Sequence, residues 1–334
     1  MAKTKKLNEN DYLFISALLR AREQKLLNAE RAERMLAAGS WAGAAKVLEE
    51  CGYPDVGAGS GKELEKVLSE RRDGVFAELA RLAPGDGIVD AFRMKYDYHN
   101  AKVIVKAEAL SQDGSRLLSA SGRVPADKLR DAFVRRDDAG VPKPLYAAMQ
   151  EAKTALARTG DPQRADFLLD AAYVGEFLAA AEATGSGFLA GYARLFADQV
   201  NLRSAVRARR MEKNADFLRS ALVPGGSVEP ARIAEAIGAS LPVAPLFEGT
   251  PLREAALVGD DLKGGLMTKF ERLCDDALTG YCAGARGVAF GNEVLVAYLC
   301  AVENELSAVR IIMTGLRTGL GADVIRSRLR RFCL

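Results

Sequence analysis

The chain has 334 residues, of which 49% are hydrophobic and 27% charged, so it is long and apolar enough to bury a substantial core. Lys and Arg (47 residues) barely exceed Asp and Glu (44 residues), and this balance argues against a protein whose main partner is nucleic acid. Aromatic residues make up only 7%, which favours helices over sheets.

Helical periodicity runs along almost the whole chain. Apolar residues recur at positions i, i+3, i+4 and i+7, as in helices with one buried face. The clearest windows, in chain order, are residues 12–36, 42–50, 64–82, 165–183, 187–211, 230–237 and 288–316. Segments rich in Gly, Pro and Asp separate them, and sustained alternation of apolar and polar residues is absent from the sequence. The sequence therefore predicts an all-α fold.

The cysteines and the chain start predict a cytoplasmic protein. The five cysteines are scattered and contain no C-x-x-C pair, which is typical of free thiols in a reducing compartment. Residues 1–6 begin like a signal peptide, but polar and acidic residues follow where an apolar region would be required. The longest apolar run, residues 294–302, is shorter than the roughly 20 residues that span a bilayer. We therefore expect no transmembrane segment.

Three segments repeat one order of residue types. Each has a carboxylate, Asn or Ala three positions later, a cation at the fifth position, and apolar residues between them. The three copies are Asp97, Asn100 and Lys102; Asp198, Asn201 and Arg203; and Glu305, Ala308 and Arg310. A glycine followed two positions later by an apolar residue precedes each copy, at Gly39 and Trp41, Gly122 and Val124, and Gly226 and Val228. The pattern predicts three related helical thirds, residues 1–112, 113–212 and 213–334.

Helical geometry places the three carboxylates in the middle of apolar stripes. At 100° per residue, the positions three before and four, seven and eight after each carboxylate lie on its own face, and nearly all of them are apolar. A buried carboxylate needs a cation or backbone N–H donors, so we expect Asp97, Asp198 and Glu305 to be paired. Two roles stay open: a structural anchor that fixes helix register, or part of a surface that grips a partner.

Motifs for catalysis are weak. Segment 57–62 resembles a phosphate-binding loop, but Val56 stands where the motif needs glycine and Glu63 where it needs Ser or Thr. Three Asp-Asp doublets lack the spacing of a metal-binding motif. The sequence therefore predicts a non-enzymatic protein without cofactor or metal.

Several of these segments resemble the C-type subunit of V/A-type ATPases (ATP synthases), which belongs to the V-type d-subunit family. The segments are 303–320 (ENELSAVRIIMTGLRTGL), 325–330 (IRSRLR), 97–102 (DYHNAK), 198–203 (DQVNLR) and the opening window 12–36. The resemblance covers essentially the whole chain. One position departs from it: the family usually has Asn where Ala308 stands.

The resemblance implies a funnel of three similar helical bundles with a pseudo-threefold arrangement. It implies a peripheral position on the cytoplasmic face of the membrane, on the ring of proteolipid (c/K-type) subunits, with the D and F subunits of the central stalk inserted in the funnel. The chain would then couple ATP hydrolysis or synthesis to ion transport without catalysing a reaction itself. The competing interpretation is an unrelated all-helical repeat protein that acts as an adaptor or scaffold.

Overall fold

The computed structural model describes residues 7–56, 60–85, 87–262 and 266–333. Most of the N-terminal segment considered as a signal peptide and residues 57–59 of the loop that resembles a phosphate site lie outside these ranges. Within them the chain is helical, and no strand occurs among the described residues. The all-α prediction is confirmed.

The described residues form fifteen α-helices. In chain order they are α1 (Leu13–Glu23), α2 (Ala29–Ala37), α3 (Trp41–Glu50), α4 (Gly61–Leu82), α5 (Gly87–Ala109), α6 (Ala126–Arg135), α7 (Lys143–Thr159), α8 (Pro162–Ala183), α9 (Gly187–Arg210), α10 (Ala215–Ala221), α11 (Pro230–Gly238), α12 (Arg253–Asp260), α13 (Met267–Ala283), α14 (Asn292–Arg317) and α15 (Ala322–Arg328).

The predicted helical window 12–36 is wrong in one respect, because it contains two helices. Helix α1 ends at Glu23, and α2 begins at Ala29. Asn28 has an extended backbone, and its side chain accepts the N–H of Arg31, so it caps α2. The apolar periodicity continues across the break, so the sequence did not reveal it.

The helices are distributed over two compact units. Unit 1 consists of Met1–Gly85, Ser186–Tyr192 and Val243–Leu334, and unit 2 consists of Asp86–Gly185 and Ala193–Pro242. Unit 1 is therefore built from both ends of the chain. The division of the sequence into three thirds stays a prediction.

Each unit is organised around one long helix. In unit 1, α14 packs against α1, α2, α3, α4, α13 and α15, and the apolar run 294–302 is buried along its whole length. In unit 2, α5 packs against α6, α7 and α8. The apolar run in α14 therefore lies in the core of unit 1. This position explains why the run is more hydrophobic than one face of a surface helix would be.

The three long helices that carry the repeated carboxylates end in the same way. Ser111, Glu212 and Gly319 each lie fourteen positions after the carboxylate and adopt a left-handed backbone, with φ of 51°, 53° and 71°. The next residue in each case donates its N–H to the carbonyl five positions earlier, and these bonds measure 2.9 Å. This is the αL termination that satisfies the last carbonyls of a helix. The sequence repeat thus extends to a structural repeat in α5, α9 and α14.

Candidate functional site

The three repeated carboxylates are buried and each accepts hydrogen bonds from a segment that precedes a short helix. Their residues are 0%, 2% and 1% exposed for Asp97, Asp198 and Glu305, as the helical geometry predicted. We call the hydrogen bonds of each carboxylate a clasp. The clasps of Asp97 and Asp198 lie in unit 2, and that of Glu305 lies in unit 1.

The Asp97 clasp combines a cation with a backbone donor. Arg123 Nε lies 2.6 Å from Asp97 Oδ2, and the N–H of Val124 lies 3.1 Å from Oδ1. Arg123 also extends to Glu176, at 3.0 Å, and Glu176 accepts the hydroxyl of Tyr98 at 2.8 Å. The carboxylate is therefore one end of a buried chain of charged and polar groups.

The Asp198 clasp uses the backbone and a hydroxyl. The N–H groups of Ser227 and Val228 each lie 3.0 Å from one of its oxygens, and the Ser227 hydroxyl also donates to Oδ2. Two backbone N–H donors and a hydroxyl give a carboxylate well-directed hydrogen bonds even at depth.

The Glu305 clasp takes donors from three separate parts of unit 1. The N–H of Leu27, between α1 and α2, lies 2.8 Å from Oε2. The Tyr53 hydroxyl, which follows α3, lies 2.7 Å from Oε1, and Arg71 Nε on α4 lies 2.8 Å from the same oxygen. Arg71 also stands over the Tyr53 ring, 4.2 Å from its centroid. One side chain of α14 thus connects three elements of the N-terminal segment.

All three clasps bind the N–H at the same place relative to a helix. Val124, Val228 and Leu27 each lie two positions before the first residue of a short helix, α6, α11 and α2 respectively. An N–H just before a helix lacks an intrahelical acceptor, and the carboxylate provides one. The carboxylate of each predicted third therefore binds the start of the next one, and Glu305 binds the first.

This geometry corrects the second sequence signature in one third. Gly122 with Val124 and Gly226 with Val228 do belong to clasps, but the equivalent of the two valines is Leu27 and not Trp41. Trp41 instead opens α3, after the cap Ser40. Gly39 lies in the turn between α2 and α3, and Gly39 and Trp41 are thus both outside the clasp.

The glycines of two clasps allow a close approach of the backbone to the carboxylate. A Cβ added at Gly122 would collide with Asp97 Oδ1, and one added at Gly226 would collide with Asp198 Oδ1. Lys25 occupies the corresponding position of the third clasp, two residues before Leu27. There the carboxylate belongs to Glu305, whose additional methylene extends it further from its own helix.

The repeated asparagines bind the backbone five positions before each clasped N–H. Asn100 donates to the carbonyl of Ser119 at 2.9 Å and accepts its N–H at 2.8 Å. Asn201 makes the same pair with Val223, at 2.8 Å for both bonds. In the third copy, the residue five positions before the clasped N–H of Leu27 is Arg22. Arg22 lies inside α1, and its backbone groups bond within that helix. An Asn at position 308 would therefore find no free backbone pair to bind.

Two of the three cations at the fifth position pair with neighbouring helices. Lys102 Nζ lies 2.5 Å from Asp170 on α8, and Arg310 forms two bonds, of 2.7 and 2.9 Å, with Glu65 on α4. Arg203 lies half-buried on α9. Lys102 and Arg310 therefore do not neutralise the carboxylate of their own copy.

Burial and pairing shift the pKa values of the clasp residues in different directions. Burial raises the pKa of Asp97, although hydrogen bonds from Arg123 and Val124 oppose the rise. Burial lowers the pKa of Arg123, but its hydrogen bond with Asp97 and the Asp97 charge outweigh this effect and raise the pKa. Burial dominates the pKa shift of Asp97 but not that of Arg123, because Asp97 is fully buried whereas the Arg123 side chain keeps 17% exposure. In the third clasp, burial and then the Glu305 charge raise the pKa of Tyr53, so its hydroxyl stays protonated and donates.

Sequence reasoning found the acceptors and missed most of the donors. Arg71, Arg123, Tyr53 and Ser227 lie outside the repeated pattern. The position before the clasped N–H is Arg123, Ser227 and Leu26 in the three clasps, so it has no common residue type. The backbone donors leave no residue signature except the glycines that admit them. The clasps provide hydrogen bonds and charge pairs at fixed geometry. They connect one long helix to the start of a short helix.

None of the described helices combines the length and the apolarity that crossing a bilayer requires. This includes α14, whose apolar run is followed by Glu303 and Glu305.

Comparison with known proteins gives consistent relatives over nearly the whole chain. The family described as ATP synthase (C/AC39) subunit matches residues 15–328. The chain is 24% identical over 326 residues to the C-type subunit of the V-type sodium ATPase of Enterococcus hirae, and the alignment covers 96% of this chain and 98% of the relative. It is 24% identical over 260 residues to the C-type subunit of the V-type ATP synthase of Thermus thermophilus, covering 75% of this chain and 79% of that protein.

Proposed function

The chain belongs to the ATP synthase (C/AC39) subunit family, and we propose that it is a non-catalytic central-stalk subunit of a rotary ATPase. It connects an axle, formed by the D and F subunits, to the ring of membrane proteolipid subunits, and lies on the cytoplasmic face of the membrane. Through this joint, torque from ATP hydrolysis reaches the ring, or torque from ion flow reaches the axle.

One observation carries the proposal: the family match extends over residues 15–328, and a relative named as the C-type subunit of a V-type sodium ATPase aligns with almost its full length. A match to a single helical pair would also fit an unrelated helical adaptor. A match that includes α1, α5, α9 and α14 in order disfavours that alternative.

The clasps support a joint that transmits force. Each buries a carboxylate against directed donors, and each fastens one helix to the start of another. We propose that the carboxylates and asparagines of the repeats act as structural anchors and not as partner contacts. Their burial supports this role, because Asp97, Asn100, Asp198, Asn201 and Glu305 present little or no surface to a partner. The hydrogen bonds of the clasps would then link each of the three proposed thirds to the next.

Reconstituted vesicles test the coupling. The chain alone should show no ATPase activity. A complex assembled without it should hydrolyse ATP without transporting ions, because the chain supplies the mechanical joint and not the catalytic site. The wild-type complex, with ion transport and hydrolysis measured in the same vesicles, is the control. Ion transport that persists without this chain would refute the proposed function.

A further inference from the structure

A cavity of about 1030 Å³ lies within unit 2. Its walls are residues 150–159 of α7, residues 164–168 of α8, and the segment 212–220, which includes α10. We call it the α7 cavity. Pockets that bind small molecules usually have volumes of about 300–1,000 Å³, so the α7 cavity is large enough to hold a small organic ligand.

Two aromatic rings form an apolar wall of the α7 cavity. Phe167 on α8 and Phe217 on α10 are half-buried, and their rings meet edge to face with centroids 5.4 Å apart. Ala155 and Leu168 extend the apolar wall. Aromatic rings pack well against other flat apolar groups. This wall therefore fits a ligand with a flat apolar body.

A line of polar side chains on α7 borders the apolar wall. Gln150, Thr154 and Arg158 are spaced four positions apart, so they share one face of the helix. Gln150 Nε2 is buried, yet it has no hydrogen-bond acceptor among the described residues. Arg158 is exposed and forms no ion pair with any described residue. This line therefore offers donors to a ligand that carries acceptor oxygens.

The surroundings of this line are cationic on its other side. A second cavity, of about 560 Å³, shares the same three residues of α7 and is also lined by Arg136 and Lys153. None of the described residues that line it is a carboxylate. Lys153 pairs with Glu108 at 2.6 Å, whereas Arg136 has no ion-pair partner in the described ranges. The electrostatic potential along the line therefore favours an anion.

The carboxylates that line the α7 cavity leave Arg158 unpaired. Asp216 pairs instead with Arg219, at 2.6 Å. Glu151 and Glu212 are solvent-exposed, and water and salt screen their charges. The guanidinium group of Arg158 is therefore available to a ligand.

We propose that the α7 cavity binds a small organic anion, with its flat apolar body against Phe167 and Phe217 and its anionic group on Arg158. The concave shape supports a small ligand, because walls from three elements surround it, whereas a protein partner needs a broader surface. This inference goes beyond the proposed function and does not depend on it.

Fluorescence titration of the full-length chain with two matched probes tests the inference. The probe 8-anilino-1-naphthalenesulfonate is an aromatic anion, and N-phenyl-1-naphthylamine has the same rings without the sulfonate. The sulfonate probe should bind saturably, with one site per chain. Arg158→Gln should weaken its binding about fivefold, because the lost ion pair is solvent-exposed, and should leave binding of the uncharged probe unchanged. Phe217→Ala should weaken binding of both probes about tenfold.

Two further variants serve as controls. Arg232→Gln removes an exposed arginine of α11, in the same unit but outside the cavity, and should bind the sulfonate probe like the wild type. Arg158→Lys keeps the charge and should bind this probe more tightly than Arg158→Gln. Far-UV circular dichroism checks that each variant is folded.

Three results would overturn the inference, and none of them affects the proposed function. The first is the absence of saturable binding of the sulfonate probe, which would mean that the cavity holds only water. The second is unchanged binding of this probe to Arg158→Gln, which would place the anion elsewhere. The third is an equal loss for both probes in Arg158→Gln, which would show that the charge of Arg158 does not select an anion.

Discussion

Truncation of Glu305 to alanine removes the acceptor shared by Leu27, Tyr53 and Arg71 and leaves their donors in place. Breaking a buried ion pair by removing one partner costs about 3–5 kcal/mol, because the other charge is left uncompensated. The Arg71 side chain keeps 20% exposure, so water compensates part of its charge. We therefore expect a loss of about 3–4 kcal/mol, towards the lower end of that range. Glu305→Gln retains an acceptor oxygen but not the charge, and should cost about half as much, since hydrogen bonds to neutral groups are weaker.

Urea denaturation followed by two signals measures this effect. Trp41 is the only tryptophan of the chain and lies in unit 1, so its fluorescence reports on the unit that holds the Glu305 clasp. Far-UV circular dichroism reports on both units. Glu65→Ala is the control, because Glu65 is the exposed partner of Arg310, which lies on α14 like Glu305. Its removal should lower the free energy of unfolding by no more than about 1 kcal/mol. A loss below about 0.5 kcal/mol for Glu305→Ala in the Trp41 transition would show that the clasp contributes nothing, and would refute the reasoning.

Three further predictions concern the other clasps and their surroundings. Asp97→Ala should lower the free energy of unfolding of unit 2 by about 3 kcal/mol in a urea titration, the lower end of the range for a broken buried pair, because Arg123 keeps Glu176 as a partner; an effect typical of a surface residue would contradict the pairing of Asp97 with Arg123. Gly226→Ala should lower the free energy of unfolding by about 1–3 kcal/mol, because the added Cβ collides with Asp198. In a double-mutant cycle this loss should be smaller in the Asp198→Ala background. Strictly additive losses would contradict the collision. Burial, followed by the Glu305 charge, raises the pKa of Cys51 from 9.0 to about 11, so the thiol binds its proton more tightly in the folded chain. The stability that Cys51 contributes should be fully present below pH 9 and be lost as the pH rises towards 11. The difference in free energy of unfolding between wild type and Cys51→Ala should therefore fall between pH 9 and 11. A difference that does not change with pH would contradict the raised pKa.

Properties that depend on a single helix could be predicted from the sequence. The 100° rotation per residue determines which residues share a face, so the burial of Asp97, Asp198 and Glu305 followed from the apolar residues around them. The helical class followed from the same periodicity. The break between α1 and α2 did not, because the apolar pattern continues across it. One stabilising bond at the break is also distant in sequence, since the N–H of Leu27 bonds to a carboxylate 278 positions away.

Properties that depend on how helices meet could not be predicted. Backbone N–H donors carry no sequence signal, and the side-chain donors come from unrelated places in the sequence: Arg123 for Asp97, Ser227 for Asp198, and Tyr53 with Arg71 for Glu305. The absence of a backbone partner for an Asn at position 308 also needed the structure, because it follows from the helical state of Arg22 and not from residue 308 itself. The glycines at 122 and 226 were the one local trace of the clasps.

The three clasps differ in the length of chain that each closes. The Asp97 clasp joins residues 27 positions apart, whereas the Glu305 clasp joins residues 278 positions apart. Closure entropy grows as (3/2)RT ln n, so for an unfolded intervening chain the longer closure costs about 2 kcal/mol more. The Glu305 clasp offsets this cost with three donors from three elements, one of them a cation, and with the packing of α14 against α1 to α4. A joint that passes torque through unit 1 would load this closure, since the chain is not continuous there. Glu305 is therefore the position at which we expect stability and coupling to be lost together.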